Sequence, residues 1–445
     1  MTQLKDLIEK IENGTARVGI IGLGYVGLPL SMLFAEKFRV VGYDIAKSRI
    51  DSLLNGKSYI TNVKDEHIQA WLNKTFFPTN DYKILEKCDF FIICVPTPLT
   101  SDNDPDLSYI KNASETISRF LKKGQFVILV STTYPGTVEE VTIPILEKTG
   151  LKACTDFGVA YSPERINPGI EMGSIKDIPT IVGGINNECT DITEKLYSKV
   201  FDRVVKVKDC KTAEATKIME NIFREVNIAL VNEMALIFEK MGIDTWDVID
   251  AASTKPFAFM PHYPGPGVGG HCIPLDPLYL SYKAKKYGFI PRFIEMSTEI
   301  NNFMKMHTVN LIMDGLKEAG RKISGSRVAV LGLAYKGDID DIRESPSAKI
   351  IEELINMGLN VKVYDPYSKS IDTRCGRFVS EKTLQATMNG VDCAVFITDH
   401  SKFRKIDPQR IVKLMRTPLI VDCRNILRKK NLDGIIYYCI GKGRR

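Results

Sequence analysis

Arg17-Val-Gly-Ile-Ile-Gly-Leu-Gly-Tyr-Val-Gly27 is the stretch that decides the fold. Arg17 to Ile21 reads as a short, apolar strand buried on both faces. Gly22-x-Gly24-x-x-Gly27 then reads as a turn that opens a helix. The first glycine permits the tight turn, the second lets the backbone approach a pyrophosphate, and the third allows close helix–strand packing. The helix N-terminus adds partial positive charge. Val18 to Ala35 carries no charge, so hydropathy alone would suggest a membrane span or signal sequence. Gly22, Gly24, Gly27 and Pro29 interrupt that run and Glu36 to Arg39 follow at once, which makes strand–turn–helix the better reading.

Further out, Val40-Val-Gly-Tyr-Asp44 reads as a second strand ending in an acid. Asp44 stands where a carboxylate accepts the two ribose hydroxyls of NAD and repels the 2′-phosphate of NADP, although Arg49 weighs slightly against that preference. Tyr25 and Val26 complete the candidate cofactor turn. The same order then recurs. Arg327-Val-Ala-Val-Leu-Gly-Leu-Ala-Tyr-Lys-Gly337 matches the first run, and Val361-Lys-Val-Tyr-Asp365 matches the second. Asp89 to Val95 pairs in kind with Asp392 to Thr398, and Phe126 to Val130 with Leu419 to Val421. Strands alternating with helices imply parallel sheets, and two such sets imply an α/β protein with two Rossmann-like, doubly wound domains. Ala334 occupies the position of Gly24, so the second copy is expected not to hold another NAD in the same way.

Between the copies, Thr212 to Met241 contains no Pro or Gly, and Ile218, Ile222, Val226, Ala229 and Leu236 recur at roughly helical spacing. Such a helix spans about 45 Å. Phe223, Leu230 and Phe238 fall off that stripe, so more than one face is expected to be covered, by both domains or by a second subunit. The boundaries expected are 1–205 for an NAD-binding domain, 206–310 for a central helical domain and 311–445 for a second Rossmann-like domain.

Composition agrees with a soluble globular protein: 26% charged and 44% hydrophobic over 445 residues. The net charge of +6 is spread along the chain without a basic block carrying aromatics, which argues against nucleic acid as a partner. A cytoplasmic protein with no membrane association is expected. The ten cysteines, at 88, 94, 154, 189, 210, 272, 375, 393, 423 and 439, form no CxxC pair. Reduced, mostly buried thiols are expected, without a disulfide framework or zinc site.

One cysteine stands in a different context. Pro264-Gly-Pro-Gly-Val-Gly-Gly-His-Cys-Ile-Pro-Leu-Asp276 has four glycines and three prolines, a constrained loop whose exposed backbone suits ligand wrapping. A thiol there is a candidate nucleophile if a cation or helix N-terminus lowers its pKa; a small buried cysteine in a tight loop is the plainer alternative. His271 has no second or third ligand at metal-binding spacing, so no metal is expected. On the central helix Lys217 and Asn221 share a face at i and i+4, with Arg224 one position further round. A lysine in so apolar a helix suits a proton shuttle or, charged, an oxyanion stabiliser.

Taken together these residues resemble the UDP-glucose/GDP-mannose dehydrogenase family, from about Arg17 to Asn425. The motifs are GLGYVGLP at Gly22, CVPTP at Cys94, STTYPGT at Ser131, SPERINPG at Ser162, KIMENIFR at Lys217, GVGGHCIPLDP at Gly267 and LAYKGDIDDIRESP at Leu333. The resemblance implies a four-electron oxidation of a sugar's C6 hydroxyl with two NAD in succession. Cys272 would trap the aldehyde as a thiohemiacetal and carry the thioester that water opens. Lys217 and Asn221 would handle charge at the C6 oxygen, and Asp276 would assist the lysine or a water. Thr132 and Glu164 would position water or serve as base, with Thr132 near the nicotinamide. Pro96 and Thr97 would line the NAD site, and Arg343 would reach the cofactor phosphates. Glu164, Arg165, Lys217, Asn221, Arg224, Gly269 and Lys336 would bind the UDP-sugar. The site would lie in an interdomain cleft that closes during turnover, in a homodimer formed through the central helices, and the pathway would be polysaccharide biosynthesis.

Within that family the cysteine loop with its KPFAFMPHYPGPG approach looks like the UDP-N-acetylglucosamine branch. The UDP-N-acetylmannosamine branch usually has His and Arg where this chain has Pro256 and Ala258, and UDP-glucose members lack the PGPG run. Two rivals are a two-electron dehydrogenase of the 6-phosphogluconate type and a non-enzymatic NAD-binding regulator.

Overall fold

The structure is a computed structural model that describes residues 2–60, 62–165, 172–270 and 272–443. His271 and positions 166–169 of the SPERINPG run lie outside the described residues. The chain divides into two compact units, Met1–Glu220 with Leu278–Phe289, and Asn221–Pro277 with Ile290–Arg445.

The first unit is built on an eight-stranded sheet. Its strands are β1 (Arg17–Ile21), β2 (Arg39–Tyr43), β3 (Phe76–Thr79), β4 (Phe90–Ile93), β5 (Phe126–Leu129), β6 (Gly158–Tyr161), β7 (Thr180–Gly184) and β8 (Val204–Lys206). The order is β3-β2-β1-β4-β5-β6-β7-β8, parallel except at β6–β7. The first six follow the dinucleotide-binding order, with the switch point between β1 and β4. Alternate residues of these strands feed two separate cores: Ile20, Ile92 and Ile128 one face, Ile21, Ile93 and Leu129 the other. Burial on both faces explains why the strands are continuous apolar runs. The uncharged stretch from Val18 divides into β1, the glycine turn and the helix Gly27–Ala35, whose nine residues are all buried. Among the described residues no helix is long and apolar enough to cross a membrane.

The second unit carries β9 (Arg327–Leu331), β10 (Asn360–Tyr364), β13 (Cys393–Phe396), β14 (Leu419–Asp422) and β15 (Ile436–Cys439) in the all-parallel order β10-β9-β13-β14-β15. A short hairpin, β11 (Ser370–Thr373) and β12 (Gly376–Val379), lies outside that sheet. The two sheets repeat each other in detail. Asp89 accepts from the Arg17 amide at 2.8 Å, and Asp392 accepts from the Arg327 amide at 2.9 Å.

The central helix is Cys210–Met241, 32 residues long. Its buried face is partly polar: Glu214, Lys217, Asn221, Glu225 and Asn232 are all buried along it. The other apolar face is not covered in the single chain. Phe223 and Leu230 are exposed, as are Met219, Ile237 and Met241. His262 packs edge-on against Phe223, and the other side chains named on that face stay exposed in the single chain, the second subunit being the cover that the sequence reading left open.

Candidate active site

In the first unit the three glycines of the β1 turn do three different jobs. Gly22 has φ +92°, and a Cβ there would lie 2.8 Å from the Cys94 carbonyl oxygen, so only glycine fits the turn. A Cβ on Gly27 would fall 1.8 Å from the Gly22 carbonyl oxygen, which makes it the packing glycine. A Cβ on Gly24 would meet nothing within 4 Å; the space beside it is open for a ligand to approach the backbone. Tyr25 and Val26 sit half-buried beside it.

Asp44, only 4% exposed, accepts from the Leu23 amide at 2.9 Å and from the Ala46 amide at 2.8 Å, while Arg49 donates to it at 3.0 Å. The carboxylate thus fixes the glycine turn. Across the switch point, Pro96 is exposed after β4 and Thr97 is buried. The Thr97 hydroxyl donates to the Thr132 carbonyl at 2.7 Å and Tyr279 donates to the Thr97 carbonyl, so the CVPTP and STTYPGT segments are tied together.

Beyond β6, Glu164 and Lys217 approach to 3.9 Å, both nearly buried. Burial pushes the Glu164 carboxyl up to about 7, Lys217 pulls it down, and Glu220 adds to the rise. Arg165 does not stand open toward a ligand. It forks onto Glu220 and donates to the Pro179 carbonyl at 2.5 Å.

In the second unit Asn221 donates to Asp276 at 2.5 Å, both buried. Asp276 opens the helix Asp276–Lys286, and its amide donates to the Cys272 carbonyl at 2.9 Å. Cys272 is exposed, as is Cys375, whereas seven of the ten cysteines are buried. The thiol lies close enough to Tyr335 that burial, then Asp341, then Cys272 push that phenol up to about 12. Glu225, one turn beyond Asn221, was not singled out from sequence although it continues the same i+4 spacing. Burial pushes it up to about 8, with the charge of Asp276 adding to the rise and the Thr298 hydroxyl opposing it.

Lys336 is half-buried, and burial and the facing Arg224 guanidinium hold its ammonium below the usual lysine range, with Asp399 opposing. Two cations converging with one partial counter-charge suit a ligand bearing more than one negative charge. Arg343 donates to Asp341 at 2.9 and 2.6 Å rather than projecting freely. A Cβ on Gly269 would lie 2.7 Å from Tyr335 Cβ and 2.8 Å from the Glu344 carbonyl oxygen, so close packing also requires that glycine. Sequence reasoning missed a cavity of about 530 Å³ lined by Tyr263, Asp399, Arg404, Arg424, Arg428 and Lys430, among others. Its basic residues are Arg404, Arg424 and the short run Arg428-Lys429-Lys430, and that run, close to the C-terminal strand, was the one sequence signal for it. Among the described residues no three His, Cys, Asp or Glu side chains converge as a metal site.

Models of the UDP-glucose/GDP-mannose dehydrogenase family match three successive stretches: its NAD binding domain over residues 16–201, its central domain over 211–303 and its UDP binding domain over 329–429. The UDP-N-acetyl-D-mannosamine dehydrogenase of Pyrococcus horikoshii is 37% identical over 431 residues, covering 96% of this chain and 99% of that one. A solved structure of a UDP-D-ManNAc dehydrogenase from the same organism aligns with TM-score 0.90 at 37% identity, over 96% of this chain and 99% of its own. The UDP-N-acetyl-D-glucosamine 6-dehydrogenase of Pseudomonas aeruginosa is 36% identical over 420 residues, covering 94% of this chain and 98% of that one.

Proposed function

Because the chain belongs to the UDP-glucose/GDP-mannose dehydrogenase family and is an NAD-dependent nucleotide-sugar dehydrogenase, we propose that it oxidises C6 of UDP-N-acetylglucosamine to the carboxylate through a Cys272-bound intermediate. The observation that carries this reading is the exposed Cys272 thiol joined through its own carbonyl to Asp276, which in turn accepts from the buried Asn221.

Open space at Gly24, the φ of Gly22 and the placement of Asp44 fit a dinucleotide, which Gly22, Gly24, Tyr25, Val26, Gly27, Asp44, Arg49, Pro96, Thr97 and Thr132 would hold, with Arg343 on its phosphates. Bound NAD supplies the hydride acceptor for each oxidation. Lys217 steadies the negative charge that develops on the C6 oxygen as its proton passes to water, and Asn221 holds that oxygen by its amide. The Cys272 sulfur adds to the resulting aldehyde carbon and forms a tetrahedral thiohemiacetal, from which a second hydride can depart to leave a thioester. Water then opens the thioester, returning the thiol and releasing the acid. Glu164 takes the water's proton, with Thr132 placing the water and Asp276 holding Asn221 in register. Arg224 and Lys336 neutralise the diphosphate, helped by the basic cavity beside Arg424; the Gly269 backbone borders the sugar, while Arg165 stays paired with Glu220.

Pro256 and Ala258, where the mannosamine branch usually carries His and Arg, support the gluco sugar. The similarity to the P. horikoshii mannosamine enzyme supports the second reading, UDP-N-acetylmannosamine. Domain limits of 1–205, 206–310 and 311–445, a cytoplasmic location and a role in polysaccharide biosynthesis complete the proposal. So does a homodimer through the central helices, since exposed Met219, Phe223, Leu230, Ile237 and Met241 need a partner. A panel of UDP- and GDP-sugars scored for NADH per sugar tests it. Two NADH per UDP-N-acetylglucosamine is the expected yield; one NADH with aldehyde accumulating, or no turnover of any UDP-sugar, overturns it.

A further inference from the structure

Two buried asparagines connect the central helix, the helix Arg292–Glu318 and the cysteine loop. Asn232 Nδ2 donates to Asn301 Oδ1 at 2.9 Å, and Asn301 Nδ2 donates to the Glu225 carbonyl at 3.2 Å. Asn232 Oδ1 accepts from the Gly265 amide at 3.0 Å. Neither asparagine is more than 4% exposed. Burying two primary amides is costly unless their polar atoms are paired, and an apolar pair would pack these helices more simply. What the amides add is a hold on the loop.

The loop offers few other handles. Pro264 and Pro266 have no N–H, so Gly265 supplies the only backbone donor across those three residues, and Asn232 takes it. Two residues on, Gly267 has φ +111°, and a Cβ there would lie 2.8 Å from the Asn301 carbonyl oxygen. The loop backbone is therefore seated directly on Asn301. Its far end is held separately, by the Gly270 amide donating to the Arg343 carbonyl at 3.0 Å. Cys272 follows two residues later.

We propose that Asn232 is a positioning residue for the oxidation: through Gly265, with Asn301 completing the pair, it anchors the start of the loop and so sets the aim of the Cys272 thiol. This rests on the reading of Cys272 as nucleophile. The two asparagines touch neither the thiol nor, in this assignment, the substrate. Their effect passes through the loop backbone.

The test compares Asn232→Ala, Asn232→Asp and Asn301→Ala in the full chain with NAD bound. Each is treated with iodoacetamide, and peptide mass spectrometry follows carbamidomethylation at Cys272 relative to Cys375, the second exposed thiol. In Asn232→Ala the Cys272-to-Cys375 rate ratio is expected to change at least about threefold and kcat to fall about 10²-fold, since a displacement of about 1 Å costs on that order. The KM for NAD should stay within about twofold of wild type, its binding residues being elsewhere. Asn232→Asp keeps an acceptor for the Gly265 amide and should lose less on both measures. Should Asn232→Ala not fold, the same comparison is read from Asn301→Ala and Asn232→Asp. An unchanged alkylation ratio with unchanged kcat overturns the anchoring role. Failure of the underlying reading shows differently: wild-type enzyme alkylated at Cys272 would then turn over at full rate.

Discussion

His400 donates from Nε2 to Asp365 Oδ2 at 3.0 Å, and neither side chain is exposed. Asp365 follows β10 as Asp44 follows β2, and it likewise accepts from the turn after the first strand, through the Leu333 amide at 2.6 Å and the Ala334 amide at 3.1 Å. In the first unit the remaining capacity of Asp44 faces Arg49, which is 46% exposed; in the second an internal imidazole fills it. His400 Nδ1 accepts from the Asp338 amide at 2.9 Å, so the ring also fastens the turn that carries Lys336. In the second copy the imidazole thus occupies a carboxylate oxygen that Arg49 shares in the first, and the turn is held in the same way. His400→Leu should therefore raise the KM for the sugar nucleotide about tenfold while leaving NAD affinity unchanged, since a lost hydrogen bond to a charged group is worth roughly 1.5–3 kcal/mol, not all of it passed on to a ligand. Parallel titrations of both ligands check it, and equal losses would count against the assignment.

Asp44→Asn retains an acceptor for one amide of the turn but loses the charge. NAD should bind about 10–100-fold more weakly, the range expected when charged hydrogen bonds to two hydroxyls become neutral ones. Sugar-nucleotide affinity should be unaffected. Isothermal titration with each ligand separates the two.

Cys272→Ser replaces the exposed thiol with a poorer nucleophile of similar size. Acid formation should drop by at least about 10³-fold, as for removal of other catalytic nucleophiles, while the first hydride transfer persists slowly. Quenched-flow product analysis would reveal aldehyde in place of acid. Wild-type acid yield in this variant would remove the thiol from the mechanism.

Glu164 is pushed up to about 7 by burial, so it is protonated below that value and anionic above it. A base must be anionic to take a proton, and the rate of acid release should rise through pH 7. Glu164→Gln should be slower by about 10²–10⁴-fold and lack that rise. A pH–kcat profile of the two enzymes decides it.

Glu225 and Glu214 are both raised to about 8, chiefly by burial. An unfolded glutamate ionises near 4.3, so between that value and 8 the folded chain holds protons the unfolded chain has released. Stability from these groups is full below the unfolded value and is lost as pH rises through the folded one. Glu225→Gln should accordingly show a smaller fall in Tm between pH 6 and pH 8.5 than wild type. A parallel fall in both would mean that Glu225 is not the titrating group.

Much of this protein is set by spacing within single elements. Gly22, Gly24, Gly27 and Asp44 announce a dinucleotide turn because a strand, a turn and a helix N-terminus need those residue types in that order. Lys217 and Asn221 share a face because four residues make roughly one helical turn. The isolation of Cys272 from the strand cysteines is visible in its glycines and prolines alone. Tertiary structure decided what spacing does not encode. That His400 pairs with Asp365, that Arg165 is taken up by Glu220, and that Asn232 holds Gly265 all depend on residues 33 to 55 positions apart meeting in space. Periodicity reports which way a side chain points along its own element; a buried polar group's partner is chosen by packing, where the cost of leaving it unpaired selects whichever distant donor or acceptor the fold brings near.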